Sequence, residues 1–196
     1  MNKPECSFPY YPLFLNLNGK RCVVAGDGNV ALRKVKTLLE YGADVVVISP
    51  DFCSGLAGLA EKSRIQVFKR PYHPGDLKDA FIAIAATDSK AVNREIMNEA
   101  HTEAVLINIV DDAENSDYIV PAHMRIEDIT IAVSTAGKSP ALARKIRTKL
   151  EKEFGVEYIN LYKLIGEARS EIKKQGLNIS NDDWQQGLDL DTLVDL

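Results

Sequence analysis

The sequence predicts an α/β fold: a doubly wound parallel sheet, then a small α+β segment and a C-terminal helical segment. Three observations support this prediction. Continuous apolar runs, typical of strands buried on both faces, alternate with helical patterns in the first part of the chain. A glycine-containing turn joins the first such run to the first helix. Downstream, the pattern changes to an alternating strand and long amphipathic helices.

Five apolar runs are predicted to form the parallel sheet. They cover residues 21–25, 45–48, 65–68, 81–86 and 105–110. Helical spacing predicts helices over 29–41, which Gly42 is well placed to end, and over about 90–100. Because strands and helices alternate, the strands should run parallel, with right-handed crossovers between them.

A half-buried strand is predicted over 129–133, where apolar residues alternate with polar or small ones. Residues 118–120 are a candidate partner for it, or for a strand of another chain. A helix should begin at Ser139-Pro140, with the serine as N-cap and the proline at the first helical position.

Apolar residues three and four apart over 154–172 predict a long helix with one apolar stripe. Such a stripe needs a partner surface, for which a second subunit is one candidate. One short helix is expected in the acidic tail, around Trp184.

Composition indicates a soluble, cytoplasmic protein. Hydrophobic residues make up 45% of the chain and charged residues 27%, and no apolar run approaches the roughly 20 residues of a membrane span. No signal-peptide pattern opens the sequence. The three cysteines, Cys6, Cys22 and Cys53, lack metal-site spacing and favour a reducing compartment. The net charge of −4 gives no general case for nucleic-acid binding.

The first strand runs into the turn Gly26-Asp27-Gly28-Asn29-Val30-Ala31. Gly26 permits a tight turn, Gly28 lets a pyrophosphate approach the backbone, and the small Ala31 lets the helix lie against the sheet. The N–H groups at the helix start then face an anion. Since a strand precedes this pattern and a helix follows it, it predicts a Rossmann-type dinucleotide site rather than a purely structural turn.

Other cofactor contacts are expected at the carboxyl ends of the strands. Ser49-Pro50-Asp51 follows the second strand, and Asp51 lies about 20 residues beyond the turn, where an acid binds the adenosine ribose. A solvated loop carboxylate is the alternative. We expect no arginine or lysine near Asp51 to receive a 2′-phosphate, which favours NAD over NADP. Thr87 and Asn108 belong to the same edge of the sheet.

Asp111 is the candidate catalytic residue. Together with Asp112 it follows the fifth strand, at the edge where a nicotinamide ring would lie. Aspartate is also common in turns and caps, so a purely structural role is the alternative.

A basic patch lies at and beyond the start of the Ser139 helix, in an otherwise acidic chain. It consists of Lys138, Arg144, Lys145, Arg147, Lys149 and Lys152, with Glu151 alone opposing them. Such a surface suits a polycarboxylate or phosphate ligand. A solvated helix face is the alternative. Among the histidines, only His123 is a candidate metal ligand or acid–base group.

An ordered set of motifs over residues 11–152 adds a family resemblance. The set is Pro12-Leu13-Phe14-Leu15, the glycine turn with Arg33-Lys34, Ile84-Ala85-Ala86-Thr87-Asp88 with Val92-Asn93, Asn108-Ile109-Val110-Asp111, Ile119-Val120-Pro121, and Val133-Ser134-Thr135-Ala136-Gly137-Lys138-Ser139-Pro140 with Leu142-Ala143-Arg144. The chain resembles the precorrin-2 dehydrogenase and sirohydrochlorin ferrochelatase family, the dehydrogenase module of siroheme synthase.

The resemblance implies a homodimer with three parts per subunit: an NAD-binding domain over 1–113, a dimerisation segment over 114–150 and a C-terminal helical segment over 151–196. It implies oxidation of precorrin-2 to sirohydrochlorin by NAD, and in some relatives insertion of Fe²⁺ to give siroheme. Asn29-Val30 and Pro50-Asp51 match nucleotide contacts, and Asp111 matches the aspartate of proton transfer. The candidate substrate-binding residues are His123, Ser134, Thr135, Lys138, Ser139 and Arg144.

The sequence departs from the family pattern at a few positions. Asp27 replaces a frequent third glycine, and Ala122 replaces a serine after the proline. Thr135 stands where a serine can occur, so a phosphoserine is not expected there. We expect no methyltransferase extension and no resident metal. The alternatives are a dehydrogenase without chelatase activity, a dehydrogenase for another acidic metabolite, and a non-catalytic NAD-responsive binding module.

Overall fold

The structure is a computed structural model that describes residues 9–187. Cys6 lies outside this range, as does the end of the acidic tail. The chain divides into two compact units, one ending at Ile119 and the other beginning at Val120.

Five strands and three helices form the first unit. In chain order they are β1 (Arg21–Ala25), α1 (Asn29–Glu40), β2 (Asp44–Ser49), α2 (Ser54–Glu61), β3 (Gln66–Lys69), β4 (Ile82–Ala85), α3 (Lys90–Thr102) and β5 (Leu106–Ile109). All five predicted strands are present, each within one or two residues of the predicted limits. Helix α2 was not predicted, because its eight residues are too few to give a clear helical pattern.

The sheet has the order β3-β2-β1-β4-β5, and all neighbouring strands are parallel. The doubly wound parallel sheet is therefore confirmed. The chain builds outward from β1 to β3, then returns to place β4 on the other side of β1. Open α/β sheets usually bind ligands at the carboxyl ends of the strands beside such a reversal, which here are β1 and β4.

Side chains of alternate strand residues enter two apolar cores, one on each face of the sheet. On one face Val23 packs with Ile96 and Ala100 of α3. On the other, Val24 packs with Ala31 and Val35 of α1. Both faces are covered, which explains why these strands appear in the sequence as solid apolar runs.

The turn after β1 is held by the strands on both sides of it. The Gly26 amide donates to the Ile48 carbonyl over 3.1 Å, and the Ala86 amide donates to the Ala25 carbonyl over 2.8 Å. Gly26 has φ +136°, and a Cβ added there would lie 2.3 Å from the Ala86 carbonyl oxygen. Only glycine fits this position.

A structured loop, rather than a helix, connects β3 to β4. The Glu99 carboxylate of α3 organises it by accepting hydrogen bonds from the Gly75 and Leu77 amides, at 3.0 and 2.9 Å, and from the Tyr72 hydroxyl at 2.6 Å. Tyr72 and Leu77 are buried in the core on the α3 face. The loop thus supplies the packing that a crossover helix would otherwise provide.

The second unit consists of a hairpin and helices. Its elements are β6 (Ala122–Ile126), β7 (Ile129–Val133), α4 (Pro140–Glu153), α5 (Val156–Lys174) and α6 (Asn181–Gly187). The predicted strand, the helix starting at Ser139-Pro140 and the helix around Trp184 are all present. The pairing partner predicted for β7 is corrected. It is β6, in antiparallel register, rather than residues 118–120.

The predicted long helix begins later than its apolar stripe. Phe154 is the C-cap of α4 and not part of α5. Helix α5 is anchored to the hairpin turn, where the Tyr162 hydroxyl donates to Asp128 over 2.6 Å and the Lys163 ammonium lies 3.5 Å from Glu127. Within residues 9–187, none of the helices has both the length and the apolar character to cross a membrane.

Gly26→Ala should lower the free energy of unfolding by at least about 2 kcal/mol, because the new Cβ meets the Ala86 carbonyl and the backbone is left in a glycine conformation. Chemical denaturation measures this change. Gly28→Ala is the matched control: its added Cβ meets open space, so its loss should stay below about 1 kcal/mol, the cost of a poorer N-cap. Equal losses in both variants would contradict the steric account.

Candidate functional site

The start of α1 is open to an anion. Gly28 is its N-cap, with an extended backbone, no side-chain capping hydrogen bond and no acidic residue in the first turn. A Cβ added at Gly28 would meet no atom of the described chain within 4 Å. No packing contact therefore demands glycine here, in contrast to Gly26. The first-turn N–H groups, which include those of Val30 and Ala31, suit the pyrophosphate of a dinucleotide.

The end of β2 places Asp51 where an adenosine ribose would be bound. Ser49 is buried as the last residue of the strand, and Asp51 follows with its side chain 83% exposed. The Lys69 ammonium lies 3.9 Å from the Asp51 carboxylate. The expectation that no lysine or arginine stands beside Asp51 is therefore wrong in three dimensions, because the parallel register pairs Ser49 with Lys69.

Thr87 and Asn108 are engaged by the protein itself. The Thr87 hydroxyl lies 2.7 Å from Asn93 Oδ1, and Asn93 Nδ2 donates to the Thr87 carbonyl over 3.0 Å. These contacts order the turn between β4 and α3. Asn108 is buried within β5, and its amide donates to the Tyr118 carbonyl over 2.9 Å. Their contacts to a cofactor stay predictions.

Asp111 lies just beyond β5, exposed and with a left-handed backbone of φ +61°. The chain is tied down on both sides of it. The Val110 amide donates to the Ala85 carbonyl over 2.9 Å, and the Ser116 hydroxyl donates to the Asp112 carbonyl over 2.7 Å. Aspartate adopts this conformation more readily than most non-glycine residues, and the flanking hydrogen bonds hold the loop in place. The carboxylate is thus presented to solvent from a constrained loop.

Lys34 of α1 is a further cation whose charge interacts with that of Asp111, although the sequence indicated no role for it. It is half-buried on α1. Burial lowers the pKa of the Lys34 ammonium, and the charge of Arg33 adds to this, whereas the Asp111 carboxylate opposes it. Val110 packs in the same core as Ala31 of α1. This electrostatic interaction was not apparent in the sequence because α1 and β5 are distant along the chain.

In the second unit, three hydroxyls organise the loop from β7 to α4. Ser134 Oγ accepts from the Ala136 amide and Thr135 Oγ1 from the Ser139 amide, both over 3.0 Å. Ser139 Oγ accepts from the Leu142 amide over 3.3 Å and so caps α4, as predicted. The structure therefore brings Ser134, Thr135 and Ser139 together in one short turn.

The basic patch is exposed over most of its residues. Arg147 forms an ion pair with Glu151, and the Lys149 ammonium lies 3.6 Å from Glu153. Among the salt bridges of the described chain, none engages the remaining four cations, which are Lys138, Arg144, Lys145 and Lys152. These four side chains supply the positive charge that an acidic ligand would meet.

His123 lies on β6, opposite Ala132 of β7. Its Nδ1 is 3.3 Å from the Pro121 carbonyl oxygen. In the part of the chain that the structure covers, no three or more histidine, cysteine, aspartate or glutamate side chains are grouped to hold a metal ion.

Comparison with protein families gives two matches. Residues 13–122 match the model described as putative NAD(P)-binding. Residues 127–153 match the model described as sirohaem biosynthesis protein central. The first match ends and the second begins near the boundary between the two units.

Individual proteins agree with these matches. The chain is 38% identical over 164 residues to siroheme synthase of Chromobacterium violaceum, covering 84% of this chain and 35% of that protein. It is 34% identical over 181 residues to siroheme synthase of Nitrosococcus oceani, covering 91% and 39%. The chain thus spans little more than a third of these relatives.

Among solved structures, SirC, a precorrin-2 dehydrogenase, resembles most of the chain. The TM-score is 0.73 and the sequence identity 25%, covering 90% of this chain and 86% of that one. The chain therefore belongs to the putative NAD(P)-binding family, and its central segment is similar to the sirohaem biosynthesis proteins that its motifs predicted.

Proposed function

We propose that this protein oxidises precorrin-2 to sirohydrochlorin with NAD⁺ as hydride acceptor. The observation that carries the proposal is the carboxyl edge of the sheet. There the open N-terminus of α1 and the constrained, exposed Asp111 belong to one unit. The first feature suits a dinucleotide, and the second suits a group that accepts protons. The SirC resemblance over most of the chain supports the same reaction.

The reaction removes one hydride and one proton from precorrin-2. A bound NAD⁺ would supply the acceptor for the hydride and its two electrons. The Asp111 carboxylate takes the proton from the neighbouring position, so a new double bond forms as two C–H or N–H bonds break. The backbone amides at the start of α1 would hold the pyrophosphate, and Asp51 would accept a hydrogen bond from the ribose hydroxyl. The residues of this chain thus align the cofactor and move the proton.

The proposed substrate is a tetrapyrrole with many carboxylates. The exposed cations of the second unit suit these carboxylates. We assign substrate contacts to Lys138 and Arg144, to the hydroxyls of the turn before α4, and to His123. The positive charge of Lys138 and Arg144 attracts an acidic ligand over a range set by ionic strength.

Further properties of the protein belong to the same proposal. We expect a homodimer, in keeping with exposed Leu142 on α4 and Leu164 on α5, which are 50% and 61% exposed. We also expect a cytoplasmic location, in keeping with the free thiols of Cys22 and Cys53.

Insertion of Fe²⁺ into sirohydrochlorin is a separate prediction. An anaerobic assay without NAD⁺ tests it, and a rate no faster than spontaneous insertion would count against it.

Gly28→Ala should weaken NAD⁺ binding about tenfold or more, because the methyl group occupies the space where the pyrophosphate approaches the amides. Titration calorimetry with NAD⁺ alone measures the change in a variant that remains folded. Gly58→Ala, on α2, is the matched control, since its added Cβ also meets open space. Unchanged affinity in the Gly28 variant would place the pyrophosphate elsewhere.

Asp111→Asn should retain NAD⁺ binding but lower kcat for sirohydrochlorin formation by about 100-fold or more, as expected when a general base is lost. Asparagine also adopts the left-handed backbone of this position, so the loop should persist. Glu114→Gln, which removes one negative charge from the same loop, should leave turnover within about twofold, because it lies outside the proposed proton path. Full turnover by the Asp111 variant would remove this residue from the mechanism.

A further inference from the structure

We infer that Lys69 is a cofactor-specificity residue that makes the ribose end of the site tolerant of a 2′-phosphate. This inference rests on the proposed function, because it assumes that Asp51 faces the adenosine ribose. Asp51 makes the site bind NAD⁺ more tightly than NADP⁺, and Lys69 reduces this difference in affinity.

The position of Lys69 is set by the sheet. It is the last residue of β3, and the parallel register places it beside Ser49, two residues before Asp51. Its ammonium lies 3.9 Å from the Asp51 carboxylate. A ligand atom that forms a hydrogen bond with the Asp51 carboxylate is therefore close to the Lys69 ammonium as well.

The two charges act differently on the two cofactors. The ribose 2′-hydroxyl of NAD⁺ donates a hydrogen bond to a carboxylate, whereas the 2′-phosphate of NADP⁺ is repelled by it. A lysine ammonium beside that carboxylate offsets the repulsion and offers the phosphate its own charge-assisted contact. Asp51 and Lys69 together give a site that is less selective than Asp51 alone.

Lys69 is free to make this contact. The Lys69 and Asp51 side chains are 70% and 83% exposed, and an exposed ion pair of this kind is weak and readily exchanged. The long, flexible lysine stem lets the ammonium move from the carboxylate to a phosphate.

The next cation in the chain is not available for the same role. The Arg70 guanidinium makes a bidentate contact with Asp76, at 2.6 and 2.8 Å, and its Cζ lies 5.2 Å from the centre of the Phe68 ring. These contacts organise the loop that follows β3. Lys69 is therefore the residue at the end of β3 that can turn toward the cofactor.

The test is the ratio of the dissociation constant of NADP⁺ to that of NAD⁺, measured by titration calorimetry on the full chain without precorrin-2. Lys69→Ala should raise this ratio about three- to tenfold, mainly by weakening NADP⁺, and the effect should shrink at high salt. Asp51→Asn should lower the ratio by about fivefold or more, because repulsion is lost while the lysine remains.

Two control variants separate this effect from general charge. Lys69→Arg, which keeps the cation, should hold the ratio within about twofold of the unmodified chain. Lys62→Ala removes the same charge at the C-terminal end of α2, toward the amino ends of the strands. It should also leave the ratio of dissociation constants within about twofold.

The outcomes distinguish this inference from the proposed function. Normal NAD⁺ binding with an unchanged ratio in the Lys69→Ala variant overturns the inference alone, as does an equal change in the Lys62→Ala variant. Failure of the unmodified chain to bind either dinucleotide overturns the proposed function and the inference with it. A raised ratio confined to Lys69→Ala supports the inference.

Discussion

The close approach of Gly26 to the Ala86 carbonyl is the constraint on which the candidate site depends. The turn after β1 fits between β2 and β4 only because residue 26 has no side chain. Hydrogen bonds from Gly26 to Ile48, and from Ala86 to Ala25, then tie that turn to both neighbouring strands. As a result, α1 begins at a defined point of the sheet edge, with its first amides open to an anion.

The two units have different roles in the proposed reaction. The first carries the groups for the cofactor and the proton, on a sheet whose two faces are both buried. The second carries exposed cations and a hydroxyl-rich turn, on a hairpin packed against α4. Glycine appears in the first unit for two different reasons. Gly26 is required by the fold, whereas the open space at Gly28 suits a ligand.

Local patterns in the sequence predicted most of the fold. Continuous apolar runs indicate buried strands, and a serine-proline pair indicates a helix start, without information from distant residues. The β3–β4 connection could not be predicted from local patterns. It depends on a hydrogen bond from the Tyr72 hydroxyl to Glu99, which lies in a distant segment of the chain. The same reason explains the missed Lys69 beside Asp51, which depends on strand register. The electrostatic interaction of Lys34 with Asp111 likewise requires the folded sheet.

The most direct test of the central claim is an anaerobic assay of the unmodified chain with precorrin-2 and NAD⁺. The nicotinamide absorbance band reports NADH, and the tetrapyrrole spectrum reports sirohydrochlorin. We expect the two products to appear together in equal amounts, and neither to form when NAD⁺ or the protein is omitted. Binding of NAD⁺ without NADH formation on addition of precorrin-2 would contradict the account and indicate a non-catalytic, NAD-responsive binding module.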